Sequence, residues 1–352
     1  MMKYVVPLSV LAAALLMNSP LNAETISAND ARISVMGRTQ LLNDGGLRFA
    51  YPGVSVFLNV EAAQLSMTAR SNSGNGWVDV IVDEGTPTRI QLAQTPTNYE
   101  LFRFAESGKH KVRIINRTET WQAISTLNSF TLDKGQLLTP SPLPARKIVF
   151  LGDSVTCAEM IDRVPGEKAN PSWSNARESY GMLTADALNA QVQLVCYGGR
   201  GLVRSWDGKT DELNLPDFYP LTIPDQATPV HWDKKNYQAD LVVSAIGTND
   251  FSQGIPAREA YISTYVTLVN QLLSDYPNAQ IALTEGAILN GDKKTTLIEY
   301  LRETISRVNN SRVHQVTSLH FPGDKQDAHP TKAQHAAMAV DLAPQLKALM
   351  HW

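Results

Sequence analysis

The chain of 352 residues contains little cysteine and no clustered histidine. Its two cysteines are Cys157 and Cys196, and its seven histidines are scattered. No pair of these residues has the spacing of a zinc site, so the sequence predicts no metal and no other cofactor. The net charge of −3 argues against a nucleic-acid partner, because such proteins carry a basic surface. Nothing in the sequence indicates the oligomeric state.

No long apolar run is present, and a short one at the N-terminus is typical of an export signal. Lys3 precedes the apolar stretch Tyr4–Leu16, and the small residue Ala23 follows. This pattern predicts a signal peptide over residues 1–23, cleaved near Ala23. A membrane anchor is the alternative, but the stretch is too short to cross a bilayer. We expect a secreted protein, extracellular or periplasmic, without a membrane partner.

Export would determine the redox environment of the two cysteines. An oxidising compartment permits a disulfide between Cys157 and Cys196, and both follow candidate neighbouring strands. Two buried free thiols are the alternative, and the sequence does not decide between them.

The composition, with 43% hydrophobic and 18% charged residues, is that of a soluble globular protein. Residues 24–136 contain short runs of alternating or continuous apolar residues, separated by glycine, proline, asparagine and aspartate. Examples are "VSVFLNV", "QLSMTA", "WVDVIVD", "NYELFRF" and "KVRIIN". This spacing predicts an all-β sandwich. The proline-rich residues 137–147 read as a stiff linker.

Residues 148–352 follow a different pattern, in which strand-like runs alternate with helical ones. The strands include "KIVFLGD", "VQLVCYG" and "ADLVVSAIGTND". The alternation predicts an α/β domain, with a parallel sheet covered by helices on both faces in three α/β/α layers. Such sheets bind ligands beyond the carboxyl ends of their strands. Ser154, Gly199 and Asn249 each follow a different predicted strand and therefore belong to that edge.

Ser154, His329 and Asp327 have the residue types of a hydrolytic triad. A serine hydroxyl needs a base within hydrogen-bond reach, and that base needs an orienting group. His329 stands just before the last predicted helix, and Asp327 two positions earlier can hold its imidazole. Taken singly, each residue has an ordinary explanation, as a helix cap, a loop histidine or a carboxylate at a helix start. Their shared position at one sheet edge predicts a nucleophile, a base and an acid.

Two further blocks supply hydrogen-bond donors for an oxyanion. The Asn249 side chain in "GTND" and the Gly199 N–H in "YGGRGL" are candidates, together with the N–H of Ser154. Asparagine and glycine are also ordinary turn residues. Asp153 is not assigned as the acid, because successive side chains point apart. Asp250 is expected to hold its loop together.

The blocks "GDSVT", "YGGRGL", "GTND" and "DAHP", in this order, resemble the SGNH or GDSL-type hydrolases. That superfamily has aspartate three positions before histidine, where Gln326 stands here. This departure, with "SVTC" and "RGL", is similar to the family-2 carbohydrate esterases, which are acetylxylan and acetylglucomannan esterases. The resemblance implies a jelly-roll sandwich before a flavodoxin-like SGNH domain. It also implies removal of O-acetyl groups from acetylated plant-wall polysaccharides or oligosaccharides, often at the 6-position.

Carried over residue by residue, the resemblance makes Ser154 the nucleophile and His329 the base, with Gly199 and Asn249 at the oxyanion positions. It makes Asp327 the least constant member of the set. An aromatic side chain is expected in the substrate cleft, and the sequence offers the candidates Trp206 and Trp232 without a choice between them.

Two other functions fit the sequence. One is a lipase, thioesterase or arylesterase on the same fold, acting on other acyl esters. The other is a non-catalytic carbohydrate-binding protein whose working part is the β-sandwich. A β-domain that shapes one wall of the cleft is a third possibility for that region. The natural polysaccharide and the preferred acetyl position stay open.

Overall fold

The computed structural model describes residues 23–225 and 227–352. The predicted signal peptide lies outside these ranges, apart from its last residue. Within the described ranges, no helix has both the length and the apolar character that crossing a membrane requires.

The N-terminal part, which we call the β region, is an antiparallel sheet. Its strand order is β3-β4-β9-β5-β8-β6-β7, with β1 paired to β9 and both β2 and β10 paired to β5. The strands are β1 Glu24–Ser27, β2 Ser34–Met36, β3 Gln40–Leu41, β4 Leu47–Phe49, β5 Ser55–Ser71, β6 Gly76–Val82, β7 Thr88–Leu92, β8 Thr97–Asn116, β9 Ser125–Asp133 and β10 Gln136–Leu137.

Two strands of the β region are longer than the sequence pattern indicates. The run "VSVFLNV" begins one residue before β5 and continues within it, "QLSMTA" lies within β5, and "NYELFRF" and "KVRIIN" lie within β8. The register of this pair shifts between Ala62 and Gln64. Such an irregularity bends paired strands without ending them, so an interrupted pattern still gives one continuous strand.

The C-terminal part, which we call the α/β region, contains a parallel sheet and the helices. The sheet order is β12-β11-β15-β16-β17. The elements are β11 Arg146–Gly152, α1 Ser154–Cys157, α2 Tyr180–Ala187, β12 Ala190–Cys196, α3 Leu215–Phe218, β13 Leu221–Ile223, β14 Val230–His231, β15 Leu241–Ala245, α4 Arg258–Asp275, β16 Gln280–Leu283, α5 Gly291–Val308, β17 Val313–Gln315 and α6 Lys332–Met350.

Successive side chains of β11 enter different apolar clusters, because a strand points alternate residues to opposite faces. Ile148 and Phe150 pack in one cluster with residues of α2 and α6. Val149 and Leu151 belong to a second cluster with residues of α4 and α5. All four β11 side chains are fully buried. This interior strand therefore leads the chain through the core to the turn that carries Ser154.

Arg38 of the β region is buried against the α/β region. Its Nη1 donates to the carbonyl oxygens of Tyr219 at 2.5 Å and Leu221 at 2.8 Å. Its guanidinium lies 5.6–5.7 Å from the ring centroids of Tyr51, Tyr219 and Trp232. Cation–π contacts of this kind are strongest where water is excluded, so Arg38 holds an aromatic cluster across the junction.

Arg117 makes a second buried connection. Its Nη1 donates to both carboxylate oxygens of Asp79 in β6 at 2.8 Å. Its Nη2 donates to Asp162, which lies in the segment after α1, at 2.5 Å. Asp162 also accepts from Asn175 at 2.9 Å. The guanidinium thus joins the β region to the segment that follows Ser154.

We expect Arg117→Met to lower the free energy of unfolding by about 1.5–3 kcal/mol, because it removes the buried, charge-assisted hydrogen bonds to Asp79 and Asp162. Arg103→Met is the control, since the Arg103 side chain pairs with Glu100 at the surface and is 60% exposed. Its effect should stay within about 0.5 kcal/mol. Urea-induced unfolding measures both, and equal losses for the two variants would refute the buried connection.

Candidate active site

The predicted site residues follow three neighbouring strands that end at one level. Gly152, the last residue of β11, is in register with Cys196 of β12 and with Ala245 of β15. The segments that carry Ser154, Gly199 and Asn249 therefore leave the sheet side by side. This is the arrangement that the strand pattern predicts, and it sets the site at the carboxyl edge of the sheet.

Ser154, His329 and Asp327 form a chain of hydrogen bonds. His329 Nε2 lies 2.9 Å from Ser154 Oγ. His329 Nδ1 lies 2.5 Å from Asp327 Oδ1, which also accepts the backbone N–H of His329 at 2.8 Å. One carboxylate oxygen thus fixes both the loop and the ring. With Nδ1–H donating to Asp327, Nε2 is left as an acceptor for the serine proton.

The electrostatics favour a charged imidazole and a charged Asp327. Burial lowers the pKa of His329, but the Asp327 hydrogen bond and the nearby carboxylates outweigh it and hold that pKa above its ordinary value. The hydrogen bond from His329 in turn keeps the pKa of Asp327 below its ordinary value. The pair is therefore set to stabilise an imidazolium that forms when His329 takes a proton.

Arg163 ties the two loops of this chain together. Its Nη1 donates to the carbonyl of Met160 and its Nη2 to the carbonyl of His329, both at 3.0 Å. Its Nε donates to Asp324 at 3.0 Å. These bonds join the segment after Ser154 to the loop before α6, and so set the distance between hydroxyl and imidazole.

The predicted oxyanion donors lie on tightly held turns. Gly199 has a φ of +74°, and a Cβ there would lie 2.9 Å from Cδ1 of Trp206, so the turn requires glycine. Asn249 Nδ2 donates to the carbonyl of Arg200 at 2.8 Å, which leaves its second N–H for another acceptor. Asp250 accepts the N–H groups of residues 202–204 at 2.8–3.2 Å, which is the loop-binding role expected of it.

Asp153 does not take the place of the triad acid, because Asp327 occupies His329 Nδ1. Its Oδ1 accepts the N–H of Val155 at 3.0 Å and so caps α1. Burial raises the pKa of Asp153 to about 6.

Cys157 and Cys196 form a disulfide, which decides between the two alternatives open from the sequence. Their Cα atoms are 5.6 Å apart. Cys157 ends α1, three positions after Ser154, and Cys196 ends β12, three positions before Gly199. The bond therefore links the nucleophile turn to the candidate oxyanion turn.

Of the two predicted cleft aromatics, Trp206 lies at the site and Trp232 does not. Trp206 is 59% exposed and lines a cleft with Gly199 and Trp121. Trp232 does not line this cleft, because its ring is partly buried and packs against the core and Arg38. The residue pattern of the sequence does not show which tryptophan packs against a buried arginine, as Trp232 does, and which is exposed to solvent, as Trp206 is.

Sequence reasoning missed Glu119, Trp121 and Glu159. Glu119 and Trp121 belong to the turn between β8 and β9, and Trp121 Nε1 donates to Glu119 Oε2 at 2.6 Å. Glu159 Oε2 lies 3.7 Å from His329 Nε2. The acidic and aromatic residues of "TETW" stand beside a strand end, but their approach to the site depends on how the two regions pack.

Comparisons with known proteins agree with this geometry. Residues 150–337 match the GDSL-like Lipase/Acylhydrolase family, and residues 35–142 match the Carbohydrate esterase 2 N-terminal family. An acetylxylan esterase/glucomannan deacetylase of Cellvibrio japonicus is 55% identical over 331 residues, which cover 94% of this chain and 92% of that protein. A cellulase/esterase of Acetivibrio thermocellus is 30% identical over 339 residues, covering 94% of this chain but 41% of that protein.

Solved structures give the same result. A family two carbohydrate esterase from Cellvibrio japonicus superposes with a TM-score of 0.93 at 55% identity, covering 94% of this chain and 99% of that one. One from Clostridium thermocellum, in complex with cellohexaose, has a TM-score of 0.85 at 29% identity, covering 91% and 99%. The fold and the site are those of a hydrolase with two domains. A carbohydrate esterase 2 N-terminal domain comes first along the chain, and a GDSL-like hydrolase domain follows it. The chain belongs to carbohydrate esterase family 2.

We expect the Cys157→Ala/Cys196→Ala double variant to lose about 3–4 kcal/mol of unfolding free energy, because the bond closes a sequence separation of 39 residues. Urea-induced unfolding of the oxidised protein and of the variant measures the difference. A reducing agent should destabilise the parent protein and leave the variant unchanged. Equal stability of parent and variant under oxidising conditions would contradict the structural role of the bond.

Proposed function

We propose that this protein is an exported serine esterase that removes O-acetyl groups from plant-wall polysaccharides such as xylan and glucomannan. The observation that carries the proposal is the hydrogen-bond chain from Ser154 Oγ through His329 to Asp327 at the sheet edge. The 55% identity to an acetylxylan esterase/glucomannan deacetylase supports the substrate class.

The proposed reaction has two steps. In the first, His329 Nε2 takes the Ser154 proton while Oγ attacks the acetyl carbonyl carbon. The bond to the sugar oxygen then breaks, and that oxygen leaves with the proton from the imidazolium. In the second, water gives a proton to His329 and attacks the acetyl-serine. Acetate leaves, and Ser154 regains its proton.

The negative charge that develops on the carbonyl oxygen in both steps needs fixed donors. We assign the N–H groups of Ser154 and Gly199 and the free N–H of Asn249 Nδ2 to this role. They follow strand ends that lie in register, and the Asn249 amide is already oriented by its bond to Arg200. Asp327 stabilises the imidazolium and, being 26% exposed, is more replaceable than Ser154 or His329.

The proposed function goes with a particular architecture of the two regions. We assign the β region to a jelly-roll sandwich and the α/β region to a three-layer SGNH domain. The antiparallel pairing of the first sheet, and the two apolar clusters that β11 feeds, support this assignment. Export through the N-terminal signal sequence fits a polysaccharide substrate, which lies outside the cell.

The cleft beside Gly199 suits a sugar chain. Trp206 and Trp121 are 59% and 54% exposed, and both line the cleft. Pyranose rings have apolar faces that pack on aromatic side chains. Trp121 comes from the β region, so that region forms one wall of the proposed substrate cleft.

Ser154→Ala should lower kcat/KM for acetate release from acetylated glucomannan and acetylated xylan by about 10⁴-fold or more, since the nucleophile is lost. Ser66→Ala, a buried serine of β5, is the matched control and should keep its activity. Asn249→Ala should cost roughly 10²- to 10³-fold through the loss of one oxyanion donor. Wild-type rates in Ser154→Ala would end the assignment.

Long-chain esters and a polysaccharide-binding assay, used with the same variants, separate the alternatives. A lipase or thioesterase would hydrolyse long-chain esters faster than acetate esters, and its activity would still depend on Ser154. A carbohydrate-binding protein would hold the polysaccharide with equal affinity in wild type and Ser154→Ala, and neither would release acetate.

Trp206→Ala should raise KM for acetylated glucomannan roughly tenfold, while KM for 4-nitrophenyl acetate stays unchanged, because the small ester has no pyranose ring to pack on the indole. Phe104→Ala serves as the control, since Phe104 is 46% exposed but does not line the cleft. An equal rise in KM for both substrates would argue against sugar stacking at Trp206.

A further inference from the structure

Glu119 is a fully buried carboxyl group that the β region places beside the active site. Its Oε2 accepts the indole N–H of Trp121 at 2.6 Å, whereas Oε1 is buried and receives no hydrogen bond from a donor among the described residues. Gly198 closes this pocket, because a Cβ there would overlap Glu119 Oε1. The carboxyl group is thus enclosed between the cleft tryptophan and the oxyanion turn.

The group next to Glu119 is a second carboxyl. Glu159 lies within hydrogen-bonding range of Glu119, and its Oε2 is 3.7 Å from His329 Nε2. Two carboxylates in contact cannot both carry a charge at modest cost. The Glu159 side chain is 22% exposed, whereas Glu119 has no exposed surface. The proton therefore belongs on Glu119, and the charge stays on Glu159.

Electrostatics agree with this placement. Burial raises the pKa of Glu119 well above its ordinary value and the Glu159 carboxyl raises it further, whereas Trp121 and the Gly198 backbone lower it only in part. A proton on Oε1 also turns this buried oxygen, which receives no hydrogen bond, into a donor.

We propose that Glu119 and Glu159 share one proton and act as positioning residues for His329, with the Glu159 carboxylate stabilising the imidazolium from the Nε2 side. Asp327 contacts the Nδ1 side, so the ring lies between two acids. This inference rests on the proposed function, in which His329 is the base. It adds Glu159 to Asp327 as a second acid beside the imidazole.

Other charged groups also face His329. Asp153 lies at the start of α1, Arg163 binds the His329 carbonyl from the segment after α1, and His335 lies on α6. Asp153 and Glu159 favour the charged imidazole. A substitution at Glu159 leaves Asp153, Arg163 and His335 in place, so it isolates the contribution of the Glu159 charge.

The test is the pH dependence of kcat/KM for 4-nitrophenyl acetate. Removing the Glu159 charge lowers the pKa of His329, so the neutral base survives to lower pH. Glu159→Gln should move the acid limb down by about one pH unit and lower the alkaline plateau roughly tenfold. Glu119→Gln should leave the acid limb where the wild type has it, because an amide replaces a protonated acid. Glu100→Gln, at the surface of β8, is the control for the substitution.

Two results would overturn the proposal. An unshifted acid limb in Glu159→Gln would remove Glu159 from the site chemistry. A downward shift in Glu119→Gln equal to that in Glu159→Gln would place the charge on Glu119. NMR titration of His329 in Ser154→Ala and Ser154→Ala/Glu159→Gln reads the same pKa difference without turnover. Acetate release by Ser154→Ala would instead refute the proposed function itself.

Discussion

The hydrogen bond between Ser154 Oγ and His329 Nε2, at 2.9 Å, is the interaction on which the rest of the site depends. It joins two residues that lie 175 positions apart along the chain. Several structural features keep the two atoms close. β11 delivers Ser154 from a fully buried strand, Asp327 fixes the imidazole, and Arg163 binds the His329 loop to the Ser154 segment. The disulfide then ties that segment to the turn that carries Gly199.

The β region contributes more than a separate fold. Arg38 and Arg117 bury their guanidinium groups at the junction, where electrostatic contacts gain strength because water is excluded. Arg117 holds Asp162, three positions beyond Glu159, so the β region supports the segment on which Glu159 lies. The turn between β8 and β9 adds Trp121 to the cleft and Glu119 to the acid pair. The active site is therefore built across both regions.

Features that depend on a local residue pattern could be predicted from the sequence. Features that depend on packing between distant segments could not. Strand endings in the α/β region depend on short apolar runs followed by glycine, so the shared edge of Ser154, Gly199 and Asn249 was predictable. Trp206 and Trp232 look alike in the sequence, and only the position of Arg38, far away along the chain, draws one of them inward. Glu119 could not be found because its partners, Glu159 and Gly198, come from the other region. The Cys157–Cys196 bond could not be decided from the sequence for a related reason. An oxidising compartment permits the bond, but its formation depends on how closely the two segments approach in space.

The most direct test of the central claim is to trap the acyl-enzyme. The protein is mixed briefly with an acetyl ester, quenched in acid and digested, and the peptides are examined by mass spectrometry. We expect one acetyl group on the hydroxyl of Ser154, and we expect it to disappear in His329→Ala because the hydroxyl then lacks its base. Acetylation that persists at the same rate in His329→Ala, or that falls on another residue, would contradict it.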